Sequence, residues 1–127
     1  MEKKKTKWTW LKKFAYAFRG LYFSLKEEAS LIVHIVIAVI VLIIASLLHA
    51  SMSSLDWVVI VLIIGMVIGM ELLNTAIENL VDIVIFKYNY NAKKIKDISA
   101  AATLILTITS IIVGLIVFIP KIIVLFK

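Results

Sequence analysis

A chain of 127 residues allows one domain at most, and 63% hydrophobic residues with a mean hydropathy of +1.09 exclude a soluble one. The absence of cysteine excludes disulfides, thiolate catalysis and cysteine-ligated metals, and leaves His34 and His49 as the imidazoles. The net charge of +6 is concentrated in Lys3, Lys4, Lys5, Lys7, Lys12, Lys13 and Arg19 and in a second cluster, Lys87, Lys93, Lys94 and Lys96. In a membrane protein such clusters mark cytoplasmic segments beside anionic lipid rather than nucleic-acid contacts. Residues 1–7 read as a polar, disordered tail without a cleavable signal.

From Trp8, aromatic and apolar residues (Trp10, Phe14, Ala17, Phe18, Leu21, Leu25) recur at helical spacing among Lys12, Lys13, Arg19 and Lys26. This predicts an amphipathic helix over about 8–27, lying on the membrane surface. Glu27 and Glu28 precede the first apolar run. Three spans are expected, at about 29–49, 55–86 and 97–119. The turn from His49 to Ser54 carries no Lys or Arg, and Ser53 or Ser54 is placed to cap a helix that begins near Asp56. Gly65 and Gly69 in the second span suit close helix contact. The loop 87–97 leads into a third span whose first half is small and polar. Pro120 is expected to end it, leaving 121–127 as a short apolar tail. The fold expected for 1–127 is one all-α membrane domain with a surface helix and three spans. Loop charge predicts a cytoplasmic N-terminus and 87–97 loop.

The second span carries the anomaly. Glu71, Asn74, Glu78 and Asp82 are spaced 3, 4 and 4 residues apart, which puts them on one helical stripe. Carboxylates at membrane depth cost roughly 2.5–3.5 kcal/mol each on insertion scales, so the default reading is functional. Glu28, Lys96 and Asp97 join the stripe at the same end of the spans. Oxygen donors without cysteine suit Mg²⁺; nearby lysines suit phosphate. A lone carboxylate in an apolar site suits a general base. Together they suggest phosphoryl transfer to a lipid hydroxyl. No Walker or kinase glycine-rich loop is present, so helix side chains must build any nucleotide site.

The run Glu71-Leu-Leu-Asn74-Thr75-Ala76-Ile77-Glu78-x-x-x-Asp82, followed by Lys96-Asp97, closely resembles the signature of the small integral-membrane prokaryotic diacylglycerol kinases. Glu28 with His34, Leu72-Leu73 before Asn74, and the ending Gly114 to Pro120-Lys121 look most like the Gram-positive branch, which phosphorylates undecaprenol. The resemblance implies a bacterial plasma-membrane homotrimer with its active sites near subunit boundaries on the cytoplasmic side. ATP would be the donor, Mg²⁺ the cofactor, and undecaprenol the acceptor, with diacylglycerol the alternative. Carried over by position, Glu71 would be the general base, and Glu28 and Glu78 would hold the metal. Asn74 would orient Glu71 or the phosphate. Asp82 would support the site or the nucleotide, Lys96 would neutralise phosphate charge, and Asp97 would fix Lys96 or contact adenosine. Tyr16, Lys87, Tyr88 and Asn89 fall where the family touches nucleotide; Ala17, Arg19 and Ser30 are carried as supporting or substrate positions. Asn89 stands where histidine is often found, Ser30 where the Gram-positive branch commonly has asparagine, and Thr9 where some members have a basic residue.

Other readings compete with these. Glu71, Asn74 and Glu78 could form an interhelical network holding an oligomer. Glu28 could be a helix N-terminal charge. Asp82, Asp97 and Lys96 could be solvated interfacial charges. His34 suits packing or a headgroup contact rather than a metal, and the Ser and Thr of the third span suit packing. A transporter or channel subunit with a carboxylate-lined path is the alternative of another class, but it predicts acids spread through the bilayer depth, and here they cluster at one end.

Overall fold

The computed structural model describes residues 8–127, with side chains from Thr9 onward; the tail bearing Lys3, Lys4, Lys5 and Lys7 lies outside the described residues. The described chain forms four α-helices: α1 (Trp8–Glu27), α2 (Ala29–Leu47), α3 (Ser54–Val84) and α4 (Tyr90–Leu125). A short 3-10 turn, His49–Ser51, joins α2 to α3. α2, α3 and α4 are each long and apolar enough to cross a membrane, which makes this a multi-pass membrane protein.

Local chemistry sets the breaks. Glu28 adopts an extended backbone (φ −114°, ψ 104°) between α1 and α2 and makes no side-chain capping bond. α2 is rich in Val and Ile, β-branched residues that are weaker helix formers in water. Across lipid, a helix satisfies every backbone polar group internally, so propensity gives way. Before α3, Ser53 is the cap. Its Oγ accepts from Asp56 N at 3.1 Å, while Asp56 Oδ2 accepts from Ser53 N at 2.8 Å, a reciprocal pair that satisfies two helix-end donors. Before α4, Asn89 Oδ1 accepts from Asn91 N at 2.9 Å and Ala92 N at 3.4 Å.

One expectation fails at the C-terminus. Pro120 does not end the third helix; α4 continues to Leu125, so 121–125 is not a loose tail. Proline's φ fits a helix, and its ring removes one donor without forcing a stop. The next residue anchors the continuation. Lys121 Nζ lies 3.0 Å from Asp56 Oδ2 and donates to Val117 O at 3.1 Å. Ser53→Ala is expected to cost about 1 kcal/mol, the usual worth of an N-cap, read as a lower thermal midpoint; Lys121→Met, which spares the cap, tests the ion pair separately. A midpoint unchanged in both would remove this end of the molecule as an anchor.

α3 and α4 form the main seam, antiparallel and packed along their length, while α1 packs only lightly against α2 and α3. Two ion pairs set the register, Asp82 with Lys96 and Asp56 with Lys121. Their members lie 26 residues apart on α3 and 25 on α4, so the helices run level from end to end. Ala45, Ile60 and Val117 form a small core at the Asp56 end. α2 buries Leu31, Ala38 and Ala45, a line of single residues seven apart. Gly65 and Gly69 make no close helix contact within the chain; a Cβ at either would meet no atom within 4 Å. The seam uses the opposite face, through Ile60, Val67, Glu71 and Thr75.

Candidate functional site

Polar residues buried in the seam gather in one half of it. On α3, Glu71 is 5% exposed and Thr75 is buried; on α4, Ser99 and Thr103 are buried. Membrane interiors bury such groups only where packing or chemistry requires them. Among the described residues no hydrogen bond or ion pair engages the Glu71 carboxylate. A carboxylate kept from bulk water, and not tied to a cation, can take a proton from a hydroxyl brought to it.

One turn along α3, Asn74 Nδ2 donates to Glu78 Oε1 at 3.0 Å. The i, i+4 spacing makes this bond local. Asn74 thus holds Glu78 rather than Glu71, and its Oδ1 is buried without a partner. One turn further, Lys96 Nζ donates to both Asp82 oxygens, at 2.9 and 3.1 Å. Lys96 is therefore held by Asp82 from the facing helix and not by Asp97.

Asp82, Lys87, Tyr88, Asn89, Lys96 and Asp97 all line one open cavity of about 440 Å³ at the α3–α4 loop. Six of the candidate nucleotide positions therefore share one surface, with Val81, Ile85, Phe86, Ala92 and Lys93 around them. Asn89 has a structural task there as the α4 cap, which leaves its Nδ2 for other contacts. Lys93 belongs to the same lining.

The positions on the first two helices are not brought into that cavity. Tyr16, Ala17 and Arg19 are exposed on α1, with the Arg19 guanidinium 5.9 Å from the Tyr16 ring centroid. Glu28 is half-buried and Ser30 exposed. The Ser30 carbonyl is 2.8 Å from His34 Nδ1, so His34 is occupied within its own helix. Among the described residues no three His, Asp or Glu side chains gather closely enough to hold a metal ion by themselves. Ser99 and Thr103, read from the sequence as packing residues, are buried on α4. Their four-residue spacing puts them on one face of that helix.

Comparison with known proteins bears on the same residues. The family model for prokaryotic diacylglycerol kinase matches residues 15–118. The chain is 38% identical to an undecaprenol kinase of Bacillus subtilis over 110 residues, covering 87% of this chain and 88% of that protein. It is 35% identical to a diacylglycerol kinase of Synechocystis over 102 residues, covering 80% of this chain and 57% of that longer protein. Both matches are long enough to take in the carboxylate stripe and the loop that follows it.

Proposed function

The chain belongs to the prokaryotic diacylglycerol kinase family, and from that premise we propose that it transfers the γ-phosphoryl group of ATP to the hydroxyl of undecaprenol. The observation that carries the substrate is the 38% identity to an undecaprenol kinase along nearly the full length of both chains. Diacylglycerol is the second reading, favoured by the Synechocystis relative. Either way the chain is a lipid kinase, and the acceptor is an alcohol at a membrane surface.

The reaction breaks the lipid O–H bond and the bond between the γ-phosphorus and its bridging oxygen. It forms one new O–P bond, and ADP leaves. Glu71 takes the proton. Its burial in the seam without a competing cation supports that role. Glu28 and Glu78 are the metal ligands, with Asn74 setting the orientation of Glu78. Two carboxylates with no third suit Mg²⁺ delivered on nucleotide phosphates rather than caged by protein. When bound, the ion supplies charge neutralisation at the phosphates. Lys96 turns from Asp82 to phosphate. Asp82, Asp97, Lys87, Tyr88 and Asn89 take the rest of the nucleotide in the loop cavity. Tyr16, Ala17, Arg19 and Ser30 serve nucleotide or substrate from the α1–α2 side. Because that side does not enter the cavity within one chain, a homotrimer that completes the site between copies is part of the proposal.

The lysines of the loop region, against a 3-10 turn without Lys or Arg, support a cytoplasmic site. The exposed Trp10, Phe14 and Phe18 on α1, interleaved with basic residues, support a helix lying on that surface.

The test is transfer of labelled phosphate from ATP by protein in nanodiscs, against a panel of lipid alcohols. Undecaprenol phosphorylated faster than diacylglycerol is the expected result. The reverse preference selects the second reading, and transfer to no lipid overturns both.

A further inference from the structure

Among the described residues, two buried side-chain polar atoms have no hydrogen-bond partner, Asn74 Oδ1 on α3 and Thr103 Oγ1 on α4. They are of complementary kind. The Asn74 amide has only one sensible orientation, because an ionised carboxylate only accepts and Glu78 must therefore face Nδ2. Oδ1 is left as an acceptor. Thr103 is 8% exposed and carries a hydroxyl that can donate.

Thr103 also differs from the hydroxyls further along α4. Thr107 and Thr109 donate to carbonyls four residues back on their own helix, at 3.0 and 2.9 Å, and Ser110 donates to Thr107 O at 2.7 Å. That is how a hydroxyl is ordinarily satisfied in an apolar helix. Thr103 makes no such bond.

The register puts the two orphans at one level. Asp82 pairs with Lys96. Thr75 lies seven residues before Asp82, and Thr103 lies seven residues after Lys96, on antiparallel helices. Thr75 and Thr103 are both buried, and Asn74 is the neighbour of Thr75. An unpaired buried donor and an unpaired buried acceptor at the same height each carry a desolvation cost that one bond would remove.

We propose that Thr103 is a positioning residue for phosphoryl transfer, whose hydroxyl donates across the seam to Asn74 Oδ1 and so fixes the Asn74–Glu78 pair at the phosphate end of the site. The two atoms are not bonded in this structure; the bond belongs to the nucleotide-bound state. The inference rests on the lipid-kinase reading, since it gives Glu78 a task there. Thr103 touches neither substrate. It acts through Asn74, by stopping the amide from turning away from Glu78.

The test uses the full chain in nanodiscs, with calorimetric titration of Mg²⁺–ATP in the absence of lipid substrate and steady-state kinetics in its presence. Thr103→Val keeps shape and burial and removes the hydroxyl. Thr103→Ala removes it at smaller volume, and Thr103→Ser restores it. Val and Ala are each expected to weaken Mg²⁺–ATP binding about fivefold to tenfold, the effect of one neutral hydrogen bond. The KM for lipid should stay at the parent value, and the thermal midpoint of the Val variant should not fall. Ser should titrate like the parent. Parent-like titration of both Val and Ala overturns the proposal. So does a Ser variant as impaired as Val, which would make Thr103 a packing residue, and so does a change confined to the lipid KM. Failure of the parent protein to phosphorylate any lipid would instead strike the kinase reading, and the same preparation reports both.

Discussion

Glu71→Gln is expected to reduce lipid phosphorylation about 10²- to 10⁴-fold in kcat, the range for loss of a positioned general base, while ATP binding stays at the parent level. The substitution keeps size and polarity and removes only the proton acceptor. Glu71 has no hydrogen bond or ion pair to lose within the described residues, so the fold should not suffer; removing an unpaired buried carboxylate relieves a desolvation cost. Single-turnover measurement at saturating ATP and lipid separates chemistry from product release. Turnover equal to the parent would remove Glu71 as the base, and the search would move to the next carboxylate along α3.

Glu78→Gln should act on the nucleotide and not on the proton. The neutral side chain can still accept from Asn74 Nδ2, so the 3.0 Å contact survives. What is lost is the anionic oxygen offered to the metal. The Mg²⁺ concentration for half-maximal rate at fixed ATP is expected to rise at least about tenfold, by analogy with the loss of groups that orient metal ligands. A Mg²⁺ dependence equal to the parent's would take Glu78 out of the ligand set. The two variants thus fail in different coordinates: Glu71→Gln in the rate at saturation, Glu78→Gln in the metal dependence.

The helices were legible because apolar runs of this length have few alternatives, and the stripe because 3 and 4 are the spacings of neighbours on a helix. The Asn74–Glu78 bond follows directly from that rule. The Lys96 partner does not. Adjacent residues point about 100° apart on a helix, so Asp97 is poorly placed to hold Lys96 despite its position in the chain. Asp82 reaches it from the facing helix, and nothing local in the sequence encodes that crossing. The continuation past Pro120 was hidden for the same reason, since Lys121 is anchored by a residue 65 positions earlier, Asp56. Tyr16, Arg19 and Glu28 were legible as residue types of the right chemistry, but their distance from the loop cavity is a matter of how lightly α1 and α2 pack on the seam.

That light packing decides how the protein should be handled. α2 fully buries only Leu31, Ala38 and Ala45, keeps Ile35, Val41 and Leu42 half-buried beside them, and turns much of its other apolar surface outward. Only 11% of its most apolar stretch is enclosed by the chain. In lipid, contact between apolar helices is not driven by escape from water, because the tails outside are as apolar as the side chains. The cohesion of α2 with the seam is therefore set partly by what surrounds it. A thermal midpoint taken in short-chain detergent reports the amphiphile as much as the sequence. Variants must be compared in one bilayer of fixed thickness, since a helix held this loosely tilts or settles to match the hydrocarbon around it.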